Sequence, residues 1–181
     1  MSIVLGYANN KNAIIMSDGR ARGTVNPSET YDKTREINDN IILGFVGYRE
    51  TCEHFLNCVY SDMEERIQNC YIDEFLEEVE YGMSLDVTKE KMESTFMIIG
   101  KSESGNIRYV IVGQDTNFEI KDIPLNSVSF IGGTIPIADI REICKKNSEI
   151  ISFPYILLKK IIEDVSEIDK TINKNIFFKT I

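Results

Sequence analysis

The chain of 181 residues has no tryptophan and only one histidine, His54. A single imidazole excludes a multi-histidine metal site, and a histidine-based triad survives only if His54 itself is the base. The four cysteines, Cys52, Cys58, Cys70 and Cys144, never fall at C-x-x-C spacing. They read as reduced thiols of a cytoplasmic protein, small apolar side chains for a core rather than metal ligands. No apolar run approaches the roughly 18–20 residues of a membrane span. The N-terminus also lacks the basic, apolar and small-residue regions of a secretory signal. Positive charge is short as well: 20 Lys plus Arg stand against 29 Asp plus Glu, a net charge of -9. That balance argues against nucleic acid or an anionic membrane as a partner, since both need a positive surface.

What remains is ordinary globular composition, 43% hydrophobic and 27% charged. It suits one domain over residues 1–181, with no Pro/Gly/Ser linker, repeat or low-complexity stretch. Ile3–Ala8 and Ala13–Met16 are apolar runs joined by Asn9-Asn10-Lys11-Asn12, the pattern of a β-hairpin. Further strands are expected near Thr34–Ile37 and over Ile41–Val46. After Gly47 the period changes. Cys52, Phe55, Leu56, Val59, Met63, Ile67 and Cys70 recur at three and four, which predicts one amphipathic helix over that stretch. A second acidic helix is expected from Ile72 to Tyr81, stopped by Gly82. Strands return over Thr95–Ile99, Ile107–Val112 and Val128–Ile131. Helices follow over Ile135–Lys146 and Phe153–Ile168, and Ile176–Ile181 closes the chain as a strand. Segregated blocks of strands and helices indicate antiparallel sheets with helices stacked outside, not an alternating parallel sheet.

Ser2 carries the most chemical information. Initiator methionine is usually removed ahead of a small residue, and removal would leave a hydroxyl and a free α-amine on one residue. An α-amine titrates near pKa ~7.7–8.0, so it accepts a proton at neutral pH without any histidine. Taken alone, Ser2 is equally a plain second residue, Asp18 a turn residue and Lys33 an exposed strand charge.

The surrounding residues narrow this. Ser2-Ile3-Val4-Leu5-Gly6-Tyr7, followed by Ala13-Ile14-Ile15-Met16-Ser17-Asp18-Gly19-Arg20-Ala21, resembles the opening of proteasome β-subunits and of bacterial proteasome-like peptidases. Tyr31-Asp32-Lys33-Thr34-Arg35 then looks like that family's lysine segment, and Gly44-Phe45-Val46-Gly47 like the end of its fourth strand. The resemblance covers about the first 70 residues. It implies an α+β, four-layer αββα sandwich of the N-terminal-nucleophile hydrolase type, two antiparallel sheets between helix layers. It also implies roles: Ser2 as nucleophile and, through its amine, base; Lys33 beside the hydroxyl; Asp18 holding Lys33; and the Gly47 N–H as oxyanion donor.

The C-terminal half is less similar. Gly132 stands where the family has a serine beside the nucleophile's amine. Asp169 is kept, but Ile168 replaces the arginine before it, and Ile172-Asn173-Lys174 replaces a serine and two glycines. Asp169 would then orient the amine with Thr171 or Asn173 standing in. By the same resemblance Phe45 forms the base of the substrate pocket, Tyr31, Arg35 and Arg49 its walls, and Arg22 flanks the substrate backbone. The two arginines would favour acidic or polar side chains, unless both are taken up by the abundant surface carboxylates.

Gly132-Gly133-Thr134 before a helix also reads as a phosphate cradle, but it lacks the lysine and spacing of a P-loop; a tight turn is the plainer reading. The implied function is therefore a proteasome-like peptidase or amidase acting through Ser2, with no metal or organic cofactor. Its expected partners are a peptide or amide substrate and copies of itself in a ring; whether an ATPase feeds it stays open. Two alternatives stand beside it: a catalytically inactive structural subunit of the same fold, and a small-molecule amide hydrolase.

Overall fold

The computed structural model describes residues 2–21, 28–85, 92–133, 136–147, 149 and 152–181. Strands β1 (Ile3–Ala8) and β2 (Ala13–Asp18) form the expected hairpin, pairing Val4 with Ser17 and Ala8 with Ala13. Asn9 shapes the turn: its Oδ1 accepts the N–H groups of Lys11 and Asn12 at 2.8 and 2.9 Å. Such side-chain acceptance within a turn is what favours asparagine there.

The remaining strands are β3 (Thr34–Asn38), β4 (Ile41–Gly47), β5 (Ser94–Lys101), β6 (Ile107–Gly113), β7 (Lys121–Asp122), β8 (Ser127–Gly132) and β9 (Ile176–Thr180). One antiparallel sheet runs β8-β1-β2-β9, which places the hairpin at its centre; the other runs β3-β4-β5-β6-β7. Helices α1 (Arg49–Met63) and α2 (Ile72–Ser84) cover the second sheet. Helices α3 (Ile137–Lys146) and α4 (Pro154–Ile168) cover the first.

Alternation along the central strands builds the layers. Ile3, Leu5 and Met16 pack on Leu158, Ile161 and Val165 of α4. Val4 and Ile15 point the other way, into a cluster with Ile42, Met97 and Tyr109 of the second sheet. Because both faces are covered, all twelve residues of β1 and β2 are buried, and each reads as a continuous apolar run rather than an alternating one. Helix, sheet, sheet, helix: the fold is the α+β sandwich that the sequence implies.

Four elements differ from expectation. The helix expected to reach Cys70 ends at Met63, where Glu64 takes a positive φ of 49°, and a 3₁₀ turn over Glu64–Gln68 follows. Ile67 and Cys70 stay buried. The Asn38 amide donates to their carbonyls at 2.7 and 3.1 Å, satisfying acceptors left open where the helix stops. Helix α2 runs through Gly82 to Ser84. A Cβ at Gly82 would sit 2.9 Å from the Phe55 ring, so this glycine serves the α1–α2 contact and is no stop signal. The Gln114–Thr116 3₁₀ turn and β7 went unforeseen. The expected start of the third helix, Ile135, lies outside the described residues. Cys58 is exposed, not a core side chain, while Cys52 and Cys70 are buried. No helix among the described residues is long and apolar enough to cross a membrane.

Candidate functional site

Asp18 ends β2, and Lys33 stands just before β3; the two meet at one corner of the sandwich. Lys33 Nζ donates to Asp18 Oδ1 at 2.5 Å and to the Arg20 carbonyl at 2.8 Å. Asp18 is fully buried and Lys33 is 3% exposed, so this is an ion pair removed from water. It survives there because the carboxylate is fully used. Asp18 Oδ1 also accepts the Ile3 N–H at 3.0 Å, while Oδ2 accepts the N–H groups of Arg20 at 3.1 Å and Asn173 at 3.4 Å. Burial pushes the Lys33 ammonium below its ordinary pKa, and the Asp18 carboxylate pulls part of the way back.

Ser2 is buried at the head of β1. The peptide joining it to Ile3 is held from both sides. Asp18 takes the Ile3 N–H, and the Gly133 N–H donates to the Ser2 carbonyl at 2.9 Å. Gly132 has φ +80°, and a Cβ there would lie 2.2 Å from the Ser2 carbonyl oxygen. A serine would not fit at this position as the chain runs, which accounts for the glycine. Gly47 has φ +127°, and a Cβ on it would come 2.4 Å from the Glu93 carbonyl and the Ser94 hydroxyl. Only glycine meets both demands. Ser2, Gly47, Gly132, Gly133 and Thr171 line one cleft of about 900 Å³. Under Gly47, the Cys52 thiol donates to Ser94 Oγ at 3.1 Å; burial raises its pKa to about 12, so it is no nucleophile.

Asp169 caps α4 and is buried, with Oδ1 accepting the N–H and hydroxyl of Thr171 at 2.8 and 2.6 Å. Thr171 thus couples Asp169 to the cleft. Asn173 takes a different place: its Oδ1 accepts the Gly19 N–H at 2.9 Å and its amide donates to the Glu29 carbonyl at 2.7 Å. It braces the Asp18 loop. Ile168, in the position of the family's arginine, is exposed.

Four of the residues expected around a substrate pocket also come together, although none of them is among those lining the cleft with Ser2 and Gly47. Phe45 is buried, with Tyr31 edge-on at 6.3 Å between ring centroids. The Arg35 guanidinium lies 5.4 Å from the Phe45 centroid, and that of Arg49 stacks 4.4 Å from the Tyr31 centroid. A fifth residue, Glu53, ties them together. Its Oε1 accepts the Tyr31 hydroxyl at 2.5 Å, and its two oxygens meet Arg35 Nη2 at 3.5 Å and Arg49 Nε at 3.3 Å. Sequence reasoning passed over Glu53 as one acid on an acidic helix face; its i,i+4 spacing from Arg49 was the available signal. Arg22, Met1 and Thr134 lie outside the described residues. Among the described residues, no group of three or more His, Cys, Asp or Glu side chains is placed to hold a metal.

No family model matches the sequence, and no curated protein matches it. Solved structures do. HslV from Trypanosoma brucei superposes with a TM-score of 0.70 at 12% identity, covering 98% of each chain. An Anbu mutant from Hyphomicrobium sp. strain MC1 gives 0.76 at 8% identity, over 98% of this chain and 80% of that one. Anbu from Pseudomonas aeruginosa, solved as a helical assembly, gives 0.72 at 9% identity, over 100% and 81%. These likenesses show that the chain has the fold of HslV and Anbu.

Proposed function

We propose that this fold carries a proteasome-like hydrolase, a single domain that cleaves peptide or amide bonds through Ser2 once Met1 is removed. The observation that carries the reading is the buried Lys33–Asp18 pair, whose carboxylate also grips the Ser2–Ile3 peptide. Among the described residues, Asp18 and the Arg20 carbonyl take two of the three Lys33 ammonium donors, and the third would serve the Ser2 hydroxyl or a bridging water.

In the first half-reaction the α-amine takes the hydroxyl proton as Ser2 Oγ adds to the carbonyl carbon. The Gly47 N–H donates to the oxyanion, and the amine returns the proton to the leaving nitrogen as the C–N bond breaks. Water, deprotonated by the same amine, then cleaves the ester. Asp169 with Thr171 orients the amine. All steps draw on side-chain and main-chain groups alone. The helical assembly of the Pseudomonas Anbu supports self-association here, and a ring fed by an ATPase is the corresponding arrangement.

Intact-mass measurement of the protein from its native host, with labelling by a Ser/Thr-directed peptide electrophile, tests this. Loss of Met1 and labelling on Ser2 are expected. Lys33→Ala should abolish labelling while circular dichroism stays native, since three backbone N–H groups still serve Asp18. Complete retention of Met1, or undiminished labelling of Lys33→Ala, overturns the mechanism. Retention would favour a non-catalytic subunit, a reading supported by Ile168 in the arginine position. Light scattering separates a ring peptidase from a small-molecule amidase of low order.

A further inference from the structure

One guanidinium stands in the cleft without an anionic partner. Of the arginines that the structure describes, Arg20, Arg35, Arg49, Arg66 and Arg108 each pair with a carboxylate. Arg141 is exposed and, among the described residues, pairs with none. In a chain with 29 acidic against 20 basic residues, this is not for want of carboxylates. The cause is local. No acidic residue stands three or four positions from Arg141 in either direction along α3, and those are the spacings at which helix neighbours meet. Arg141 instead lines the cleft, together with Ser2, Gly132, Gly133 and Thr171.

Which part of a substrate meets it follows from the proposed chemistry. The Ser2 amine returns its proton to the leaving nitrogen, so that nitrogen must come within hydrogen-bond reach of the amine. The amine is assigned to Asp169 and Thr171, the Gly133 N–H holds the Ser2 carbonyl, and α3 begins just beyond, at Ile137. The leaving portion of a substrate therefore departs past Thr171 and Gly133, towards Arg141.

The other charged residues of the cleft, Glu93, Asp115 and Lys121, flank a different layer. Glu93 precedes Ser94, which pairs with Gly47, and Asp115 lies two residues past Gly113, which pairs with Thr95. These two acids stand on the Gly47 side and repel a substrate carboxylate from it. Lys121 pairs with Ile111 on the outer strand of that sheet, two residues further along β6 from the Gly113 end. Two acids and two bases cancel in total, so what the cleft supplies is orientation: negative at the oxyanion side, positive where the leaving portion goes.

We propose that Arg141 is a specificity-determining residue that binds a carboxylate on the leaving portion of the substrate, so that the site prefers amides whose departing amine carries a terminal or side-chain carboxylate. This rests on the hydrolase reading above. A guanidinium grips a carboxylate through paired hydrogen bonds, and at an exposed position water and salt weaken that grip; a preference of about tenfold at low salt is expected.

The test uses four peptides with one acyl portion and different leaving portions: Ala-Ala with a free C-terminal carboxylate, Ala-Ala amide, Glu-Ala amide and Gln-Ala amide. Turnover by the Met1-processed protein is compared with that of Arg141→Gln and Arg141→Lys, which keep long helix-favouring side chains. Affinity for the same peptides is measured by fluorescence anisotropy in a Ser2→Ala background, where no cleavage is needed. The parent should prefer free acid to amide, or Glu to Gln, about tenfold; the first outcome identifies a terminal carboxylate and the second a side-chain one. Arg141→Gln should abolish the preference, and Arg141→Lys should keep part of it, as a point charge cannot make the paired contact. A preference in affinity without turnover supports the Arg141 role and counts against the hydrolase. Turnover with no carboxylate preference, or with one that survives Arg141→Gln, overturns the Arg141 role and leaves the hydrolase standing. No binding of any of these peptides overturns both.

Discussion

Asp18→Asn isolates the interaction on which the site depends. The change is nearly isosteric, yet an amide cannot replace this carboxylate. Oδ1 faces two donors, Lys33 Nζ and the Ile3 N–H, and Oδ2 faces two more, from Arg20 and Asn173. Whichever way the amide turns, its NH₂ meets donors, and Lys33 keeps a buried charge without a counter-ion. Breaking one partner of a buried pair costs about 3–5 kcal/mol. For a chain of this size each kcal/mol shifts Tm by about 2–4 °C, so a fall of about 6–20 °C is expected by calorimetry.

The pH dependence carries a second signature. Lys33 in the folded chain lies below its ordinary value, so the unfolded chain binds more protons between the two values and stability rises with pH across that window. Removing Asp18 leaves burial unopposed and extends the window to lower pH. The deficit of the variant should therefore narrow as the pH rises toward the ordinary lysine value, as Lys33 sheds its proton. A Tm within about 2 °C of the parent, unchanged across that range, would refute the reasoning.

Two further tests probe the backbone and an unused hydroxyl. Gly132 and Gly105 have φ of +80° and +82°, but a Cβ meets the Ser2 carbonyl at 2.2 Å in the first case and nothing within 4 Å in the second. Gly105→Ala should cost about 1 kcal/mol of conformational strain in urea unfolding; Gly132→Ala should cost clearly more and also slow labelling of Ser2, and equal losses would contradict the close approach. Ser17 Oγ is buried without a hydrogen-bond partner among the described residues, so Ser17→Ala should leave stability unchanged or raise it by about 1 kcal/mol; a loss of that size would reveal a hidden partner.

The strands were legible because apolar runs and turn residues coincide: Asn9 and Asn12 bracket the first hairpin, and Ser104-Gly105-Asn106 sits between β5 and β6. Which face each of these residues takes was not legible in a continuous apolar run; the structure puts Ile3 and Val4 on opposite faces because both are covered. Residues whose roles depend on distant partners were harder to read. Asn173 looks like part of a degraded motif, yet it clasps Gly19 and Asp18 across 155 positions or nearly so. Glu53 looks like solvent-facing charge until Tyr31 and Arg35 arrive from another element. The two-residue strand β7 is too short to show any period, and the α1 boundary at Glu64 is set by backbone rotation and the Asn38 amide rather than by a change in apolar spacing.

The hairpin made of the earliest residues sits at the centre of its sheet, bordered by strands contributed by residues 127–132 and 176–180. A nascent chain must therefore hold two sticky, apolar ribbons in waiting while more than a hundred further residues emerge from the ribosome. Long-range pairing of this kind slows folding and invites misassociation. A polypeptide made only as far as the middle of this sequence lacks the border strand of residues 176–180, so a hydrolytic centre of the kind proposed would need that strand in place first.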